Sequence, residues 1–90
     1  MVSYKIEVEG RVQGVGFRFF VFRAAKDLNI KGFVQNILER KVLIEATGEE
    51  NHMNNFIAEC RRGPTPARVL DFKLSQIPLK NFDGFEIKKY

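Results

Sequence analysis

The sequence predicts a single α+β domain in which two helices cover one face of an antiparallel sheet. Four segments alternate apolar and polar residues as half-buried strands do, and two other segments repeat apolar residues at helical spacing. The chain has 90 residues, of which 44% are hydrophobic, and this length suits one core but not two. We therefore expect residues 1–90 to form one domain.

The chain begins with a strand and a helix. Tyr4, Ile6 and Val8 alternate with charged residues, which is the pattern of a strand with one buried face. After a short loop, apolar side chains recur at helical spacing at Phe17, Phe20, Val21, Ala24 and Leu28. This periodicity predicts a first helix over about residues 17–29.

A hairpin and a second helix follow. Segments 31–37 and 42–47 are predicted strands, joined by the short polar link Glu39-Arg40. The next apolar stripe, at i, i+3, i+4 and i+7, predicts a second amphipathic helix and consists of Met53, Phe56, Ile57 and Cys60. Gly63-Pro64 follows the stripe and ends this helix.

The last third of the chain completes the predicted sheet. Leu70, Phe72 and Leu74 alternate with polar residues and predict a fourth strand with these three side chains on its buried face. Phe85 and Ile87 indicate a short additional strand. The order strand, helix, strand, strand, helix, strand, with one apolar face per strand, is that of the ferredoxin-like βαββαβ sandwich.

Residue counts exclude several kinds of catalytic site. The chain has one cysteine, Cys60, and one histidine, His52, so an internal disulfide, a cysteine-rich zinc site and most nucleophile–base pairs are excluded. We expect no metal and no cofactor. Cys60 lies on an apolar stripe and is predicted to be a buried thiol, whereas His52 is predicted to be a solvated surface residue without a role.

Charge and hydropathy restrict the partners and the location. No apolar run approaches the roughly 20 residues that span a bilayer, and the first residues lack a leader pattern. We therefore expect a cytoplasmic protein that binds no membrane.

The net charge of +4 favours anionic ligands, but no basic tract indicates a nucleic-acid partner. Once the two helices and the sheet are paired, no long apolar seam remains exposed, which favours a monomer.

The segment best suited to chemistry is residues 10–16, called the glycine loop below. It places three glycines between a strand and a helix. Glycine reaches positive φ and lets successive N–H groups point into one concavity, which favours an anion at a helix N-terminus. Arg18 follows and can hold two phosphate oxygens. The spacing fits neither a P-loop nor a dinucleotide fingerprint, and the alternative role of these glycines is to turn the chain.

Two motifs resemble those of a known enzyme family. Residues 10–18, Gly-Arg-Val-Gln-Gly-Val-Gly-Phe-Arg, are similar to the signature of the acylphosphatases, and residues 32–36 resemble that family's second motif, Gly-x-Val-x-Asn. Gly63-Pro64, residues 67–69 and residues 84–87 are also similar to the family. The resemblance implies a ferredoxin-like fold and hydrolysis of acyl phosphates to a carboxylate and inorganic phosphate.

The resemblance also implies residue roles. Arg18 matches the arginine that holds the phosphate, and Asn36 matches the asparagine that orients the attacking water. The remaining phosphate-binding positions are in and just after the glycine loop, at Gln13, Gly14, Val15, Gly16 and Phe17. Because an amide has no useful proton affinity near neutrality, Asn36 can hold water but cannot act as a general base.

The chain departs from the family pattern near the second motif. Glu39-Arg40 replaces the Asp-Gly type of turn found in many members, and neither residue favours positive φ. Ile37 follows Asn36 and cannot add a side-chain hydrogen bond. Phe19 and Phe22 fall outside the main stripe of the first helix and either line the mouth of the site or pack on a loop.

Three alternatives to a free-standing hydrolase remain open. The domain could bind an anion without turnover, or bind RNA, since RNA-recognition motifs share its element order and Lys31-Gly32-Phe33 resembles part of their aromatic motif. The RNA match fails beyond these three residues. A related domain also begins the large carbamoyltransferases of hydrogenase maturation.

Overall fold

Five strands and two helices alternate along residues 1–89, the part of the chain that this computed structural model describes. The elements are β1 (Val2–Arg11), α1 (Phe17–Asp27), β2 (Lys31–Leu38), β3 (Lys41–Gly48), α2 (Glu50–Arg62), β4 (Arg68–Ile77) and β5 (Phe85–Lys88). The predicted βαββαβ order and the short additional strand are confirmed. Within these residues, no helix has the length and the apolar content needed to cross a bilayer.

Four strands form the predicted antiparallel sheet, and the additional strand makes the whole sheet mixed. Its strand order is β4-β1-β3-β2-β5, and the first four strands pair antiparallel with their neighbours. β5 pairs parallel to β2. Because residues 78–84 leave β4 and enter β5 at the same end of the sheet, β5 runs opposite to β4 and so in the direction of β2.

The hydrophobic core lies between one face of the sheet and the two helices. Its largest side chains are almost fully buried and come from every layer: Ile6, Val8, Val34, Val42, Ile44, Phe17, Val21, Met53, Phe56 and Cys60. Burying each large apolar side chain stabilises the fold by about 1.5–3 kcal/mol. The apolar stripes that predicted α1 and α2 are therefore the surfaces that hold both helices on the sheet.

The single cysteine and the single histidine differ in how well they match expectation. Cys60 is buried in the core as predicted, and burial raises the pKa of its thiol. A thiol held in its neutral form is a poor nucleophile. His52 is half-buried, not solvated as predicted, and its Nδ1 is buried without a hydrogen-bond partner in the described part of the chain.

The first helix ends at Asp27, earlier than predicted. Asn29 adopts a positive φ of 56°, and the amide of Ile30 donates to the Ala25 carbonyl at 2.8 Å. A left-handed residue just beyond the last turn stops a helix by bending the chain back onto its final carbonyls. Leu28 still packs against the core, so the apolar stripe extends past the helix itself.

The buried face predicted for β4 is only partly correct. Val69 and Phe72 pack against the core, whereas Leu70 is 63% exposed and Leu74 is 40% exposed. The pairing with β1 shifts between Glu9 and Gly10, so Leu70 is an extra residue in the ladder. Such a bulge puts Val69 and Phe72, three residues apart, on the same face and turns Leu70 away from it. Leu74 shares the face of Phe72 but lies on an edge strand.

Gly10 is required at this bulge because β4 comes too close for a side chain. Its φ is 143°, and a Cβ atom there would lie 2.2 Å from the Arg68 carbonyl oxygen. The bulge therefore sits at the point where β1 leads into the glycine loop.

A ring of hydrogen bonds fastens the segment after β4 to the sheet. The amide of Lys80 donates to Ser3 Oγ at 2.9 Å, and the Thr47 hydroxyl donates to the Lys80 carbonyl at 2.8 Å. The two hydroxyl oxygens are 2.6 Å apart. Because the Thr47 hydrogen is used on Lys80, Ser3 must donate to Thr47, and the ring closes with every buried group satisfied.

Replacing Thr47 with valine removes the hydroxyl but keeps the shape of the side chain. We expect the Thr47→Val variant to lose about 1–3 kcal/mol of unfolding free energy, because the Lys80 carbonyl and the Ser3 hydroxyl lose their partner. Urea unfolding measures this change. The matched control is Thr65→Val at an exposed threonine, which should change stability by less than about 0.5 kcal/mol. Equal stability of the two variants would contradict the role of the ring.

Candidate active site

The glycine loop has a backbone that only glycine adopts easily. Gly14 and Gly16 have φ values of 72° and 80°, in the left-handed region that costs other residues roughly 1–2 kcal/mol. No atom lies within 4 Å of a Cβ built at either position. These two glycines are therefore needed for their conformation, not for space.

This conformation leaves a run of backbone donors without acceptors. Within the described residues, no acceptor is found for the backbone N–H groups from Gln13 to Phe19, and the first helical bond of α1 is from Phe20 to Gly16 at 3.0 Å. Gly16 caps α1 without a side-chain bond. Consecutive free N–H groups at the positive end of a helix dipole form a site for an anion.

Arg18, on the first turn of α1, is held at the edge of this run. Its side chain is half-buried, and Nη1 donates to the Lys88 carbonyl of β5 at 3.4 Å. Among the described residues it has no carboxylate partner. Within that part of the chain, most of its five N–H donors have no acceptor.

Asn36 lies near the end of β2 on the face that carries the helices. It pairs with Val42 of the core and lies two residues beyond the buried Val34, so all three share this face. Its Oδ1 is buried and has no hydrogen-bond partner in the described part of the chain. Because a buried amide oxygen normally accepts a hydrogen bond, Asn36 has unused capacity to bind a small polar molecule.

The parallel pairing of β5 with β2 brings Arg18 and Asn36 together. Lys88, whose carbonyl accepts from Arg18, pairs with Gln35, the residue before Asn36. Neighbouring strands lie about 4.8 Å apart, so the carbonyl that accepts from Arg18 belongs to the strand next to the one that carries Asn36. The structure thus joins two predicted residues that are far apart in sequence.

A depression of about 200 Å³ lies beside the glycine loop. Its lining residues are Val12, Gly14, Gly16, Phe17, Arg18, Phe19 and Ile87. Gln13, Val15 and Asn36 do not line it. The Phe17 side chain is buried beneath the loop, so this residue offers only its backbone to a ligand.

Gln13 makes structural contacts that the sequence does not predict. Its side-chain Nε2 donates to the Leu38 carbonyl and, at 2.8 Å, to the Lys41 carbonyl. These two carbonyls flank the turn between β2 and β3. Gln13 therefore fastens the glycine loop to the strand that carries Asn36.

The Glu39-Arg40 turn is accommodated with one strained residue. Arg40 has a φ of 66°, whereas Glu39 stays at negative φ. The amide of Gly10 donates to the Arg40 carbonyl at 2.9 Å. The pairing of β2 with β3 also shifts between Asn36 and Leu38, so Ile37 lies unpaired in a bulge. Contacts with the glycine loop thus support a turn whose residues do not favour its geometry.

Positive charge gathers at the end of the molecule that carries the glycine loop. β1, β2, β5 and α2 end there, and β3, β4 and α1 begin there. The basic residues in these terminal positions are Arg11, Arg18, Arg40, Lys41, Arg61, Arg62, Arg68, Lys88 and Lys89, against the acidic residues Glu9, Glu39, Glu59 and Asp71. This excess is invisible in the sequence, where the basic residues are dispersed, and it attracts anions.

Metal-ligating side chains do not cluster anywhere in residues 1–89. No group of three or more His, Cys, Asp or Glu side chains is close enough together to hold an ion. The polar groups that converge at the depression are backbone N–H groups and a guanidinium.

Known proteins are similar to this chain in sequence and in fold. The acylphosphatase family model matches residues 4–87. An acylphosphatase of Thermotoga petrophila is 42% identical over 90 residues, which are 100% of both chains. The crystal structure of acylphosphatase from Bacillus subtilis superposes with a TM-score of 0.93 at 36% identity, covering 98% of this chain and 99% of that one. A structure of T. kodakarensis HypF superposes with a TM-score of 0.87 at 35% identity, covering 100% of this chain but 12% of that one.

The family match spans both motifs from which the resemblance was first inferred. The ferredoxin-like fold shared with the B. subtilis structure agrees with the element order that periodicity alone predicted. The chain therefore belongs to the acylphosphatase family.

Proposed function

We propose that this protein hydrolyses acyl phosphates, with the glycine loop and Arg18 holding the phosphate and Asn36 orienting the attacking water. The observation that carries this proposal is the run of unpaired N–H groups from Gln13 to Phe19, which ends beside a guanidinium. The substrate is a small molecule, and the chemistry needs neither a metal nor a cofactor.

The phosphate-binding half of the site uses charge-assisted hydrogen bonds. The phosphoryl oxygens accept from the backbone N–H groups of Gln13 to Phe17, while the planar guanidinium of Arg18 donates to two of them at once. These donors are fixed before substrate arrives, because Gly14 and Gly16 set the backbone and Lys88 holds Arg18. Preorganised donors stabilise the charge that develops on the phosphoryl group during transfer.

Asn36 supplies position and no acid–base chemistry. Its buried, unpartnered Oδ1 supports a role in accepting a hydrogen bond from water. The water oxygen forms the new bond to phosphorus while the bond from phosphorus to the acyl oxygen breaks, and the electron pair leaves with the carboxylate. The proton from water passes to a phosphoryl oxygen of the substrate, since the amide cannot take it.

The leaving group explains why so few residues suffice. A carboxylate is the conjugate base of an acid with a pKa of about 4, so it departs at neutral pH without a general acid. Binding and alignment supply the remaining acceleration. A phosphate monoester, which would release a poor alkoxide leaving group, is expected to be a bad substrate.

The aromatic side chain that suggested RNA binding is covered. Phe33 is 7% exposed, its ring packs edge-on against Phe82 at 6.2 Å, and the Lys88 ammonium lies 4.1 Å from its centre. Bases stack on rings that the sheet leaves open. The burial of Phe33 therefore favours the hydrolase over an RNA-binding module.

Arg18→Ala and Asn36→Ala should separate binding from positioning. With benzoyl phosphate as substrate, we expect Asn36→Ala to lower kcat roughly 100-fold or more, while inhibition by inorganic phosphate is unchanged. Arg18→Ala should lower kcat/KM and weaken phosphate inhibition together. Steady-state kinetics in the presence of a chelator measure all three quantities, and the wild-type rate should not respond to the chelator.

Gln35→Ala is the matched control for the asparagine variant. It removes an amide from the neighbouring residue on the opposite face of β2, and its rate should stay within about twofold of wild type. Unchanged phosphate inhibition in Arg18→Ala, or full activity in Asn36→Ala, would contradict the proposed roles.

Gln13→Leu should loosen the glycine loop without touching the ligand. Losing two hydrogen bonds to the turn between β2 and β3 should lower the unfolding free energy by about 1–3 kcal/mol and weaken inhibition by phosphate. The control is Gln76→Leu at an exposed position of β4. A Gln13→Leu variant that is less stable but binds phosphate as wild type does would restrict this residue to a structural role.

A further inference from the structure

Two large apolar side chains are exposed at the depression beside the glycine loop. Phe19 is 57% exposed and Ile87 is 39% exposed, and both line this depression together with Arg18. Single exposed apolar side chains are common on protein surfaces. Here, however, two of them lie together beside the proposed phosphate-binding groups. Phosphate itself has no apolar group that could contact them.

Phe19 is held in place by a chain of aromatic contacts. Its ring stacks on Phe22, with centroids 6.4 Å apart and planes 21° from parallel. Phe22 in turn packs against Phe85, which is 7% exposed and belongs to the core. The exposed ring is thus fixed from beneath, so Phe19 loses little side-chain entropy when a ligand packs on it.

A cation contacts the Phe19 ring but does not line the depression. The Arg23 guanidinium lies 5.8 Å from the Phe19 centroid, and Arg23 is not one of the residues that line the depression. Across the depression, Ile87 belongs to β5, directly before the residue whose carbonyl holds Arg18. The apolar pair and the phosphate-binding guanidinium are therefore fixed relative to each other by the same two elements.

We propose that Phe19 and Ile87 form a subsite for the acyl group of the substrate, and that the enzyme prefers acyl phosphates with an aromatic or bulky apolar acyl group. This inference rests on the proposed function, because the phosphate must occupy the glycine loop for the acyl group to reach these side chains. A molecule held by its phosphoryl oxygens has only its acyl end left to contact the wall beside Arg18. An apolar acyl group that contacts this wall removes apolar surface from water and so strengthens binding, whereas a small polar group does not.

The test compares benzoyl phosphate with acetyl phosphate in wild type and in Phe19→Ala. The two substrates differ in intrinsic reactivity, but that difference cancels when variants are compared on the same substrate. We expect Phe19→Ala to lower kcat/KM about tenfold for benzoyl phosphate, as for the loss of a few methylene groups of contact, and less than about twofold for acetyl phosphate. Inhibition by inorganic phosphate should not change.

Two further variants separate the subsite from general damage. Ile87→Ala should reproduce the selective loss, since it removes the opposite wall of the depression. Leu79→Ala truncates an equally exposed apolar side chain at the other end of the sheet and should affect neither substrate. Phe19 projects from the core, so its truncation does not threaten the fold.

Each outcome has a distinct meaning. A parallel loss for both substrates, or no loss for either, would overturn the acyl subsite while leaving the phosphohydrolase intact. An equal loss for succinyl phosphate, whose acyl end carries a carboxylate, would also overturn the preference for apolar groups. Failure of folded wild type to hydrolyse any of these substrates would instead overturn the proposed function on which the subsite rests.

Discussion

The backbone N–H groups from Gln13 to Phe19, for which residues 1–89 offer no acceptor, are the constraint on which the rest of the site depends. Backbone donors without partners are tolerated only where water or an anion can reach them, so this segment must stay at the surface and still keep one shape. Three attachments hold it: the bond from Gly10 to the Arg40 carbonyl, the side chain of Gln13, and the burial of Phe17. The proposed phosphate site is thus formed by backbone and maintained by contacts outside it.

The sheet gives this backbone site its two side chains. Core pairing fixes Asn36 beside Val42 at the end of β2, and β5 supplies the carbonyl that receives Arg18. β5 reaches that position because the ring of Ser3, Thr47 and Lys80 anchors the segment that precedes it. The contacts that stabilise the fold and those that align the site are therefore parts of one hydrogen-bonded framework.

Local periodicity predicted the strands and the helices, because burial of one face repeats apolar residues at a fixed spacing. The glycine loop was predicted from its three glycines between a strand and a helix. Local periodicity could not predict features set by pairing between distant segments. The bulge that exposes Leu70 follows from the close approach of β4 to Gly10. The positive φ of Arg40 depends on an acceptor contact with Gly10, against the residue's own preference. The proposed role of Phe19 likewise depends on β5, because the depression that Phe19 and Ile87 both line forms only in the folded chain.

Backbone N–H groups of the glycine loop are the proposed binding site for the phosphate. A titration of ¹⁵N-labelled protein with inorganic phosphate, followed by ¹H–¹⁵N correlation NMR, tests this proposal most directly because every amide reports separately. We predict that the largest saturable shifts fall on the amides from Gln13 to Phe17 and on the Arg18 guanidinium. Shifts concentrated instead at Arg61, Arg62 and Arg68, with the glycine loop unperturbed, would contradict this proposal and show that phosphate binds only to these basic side chains.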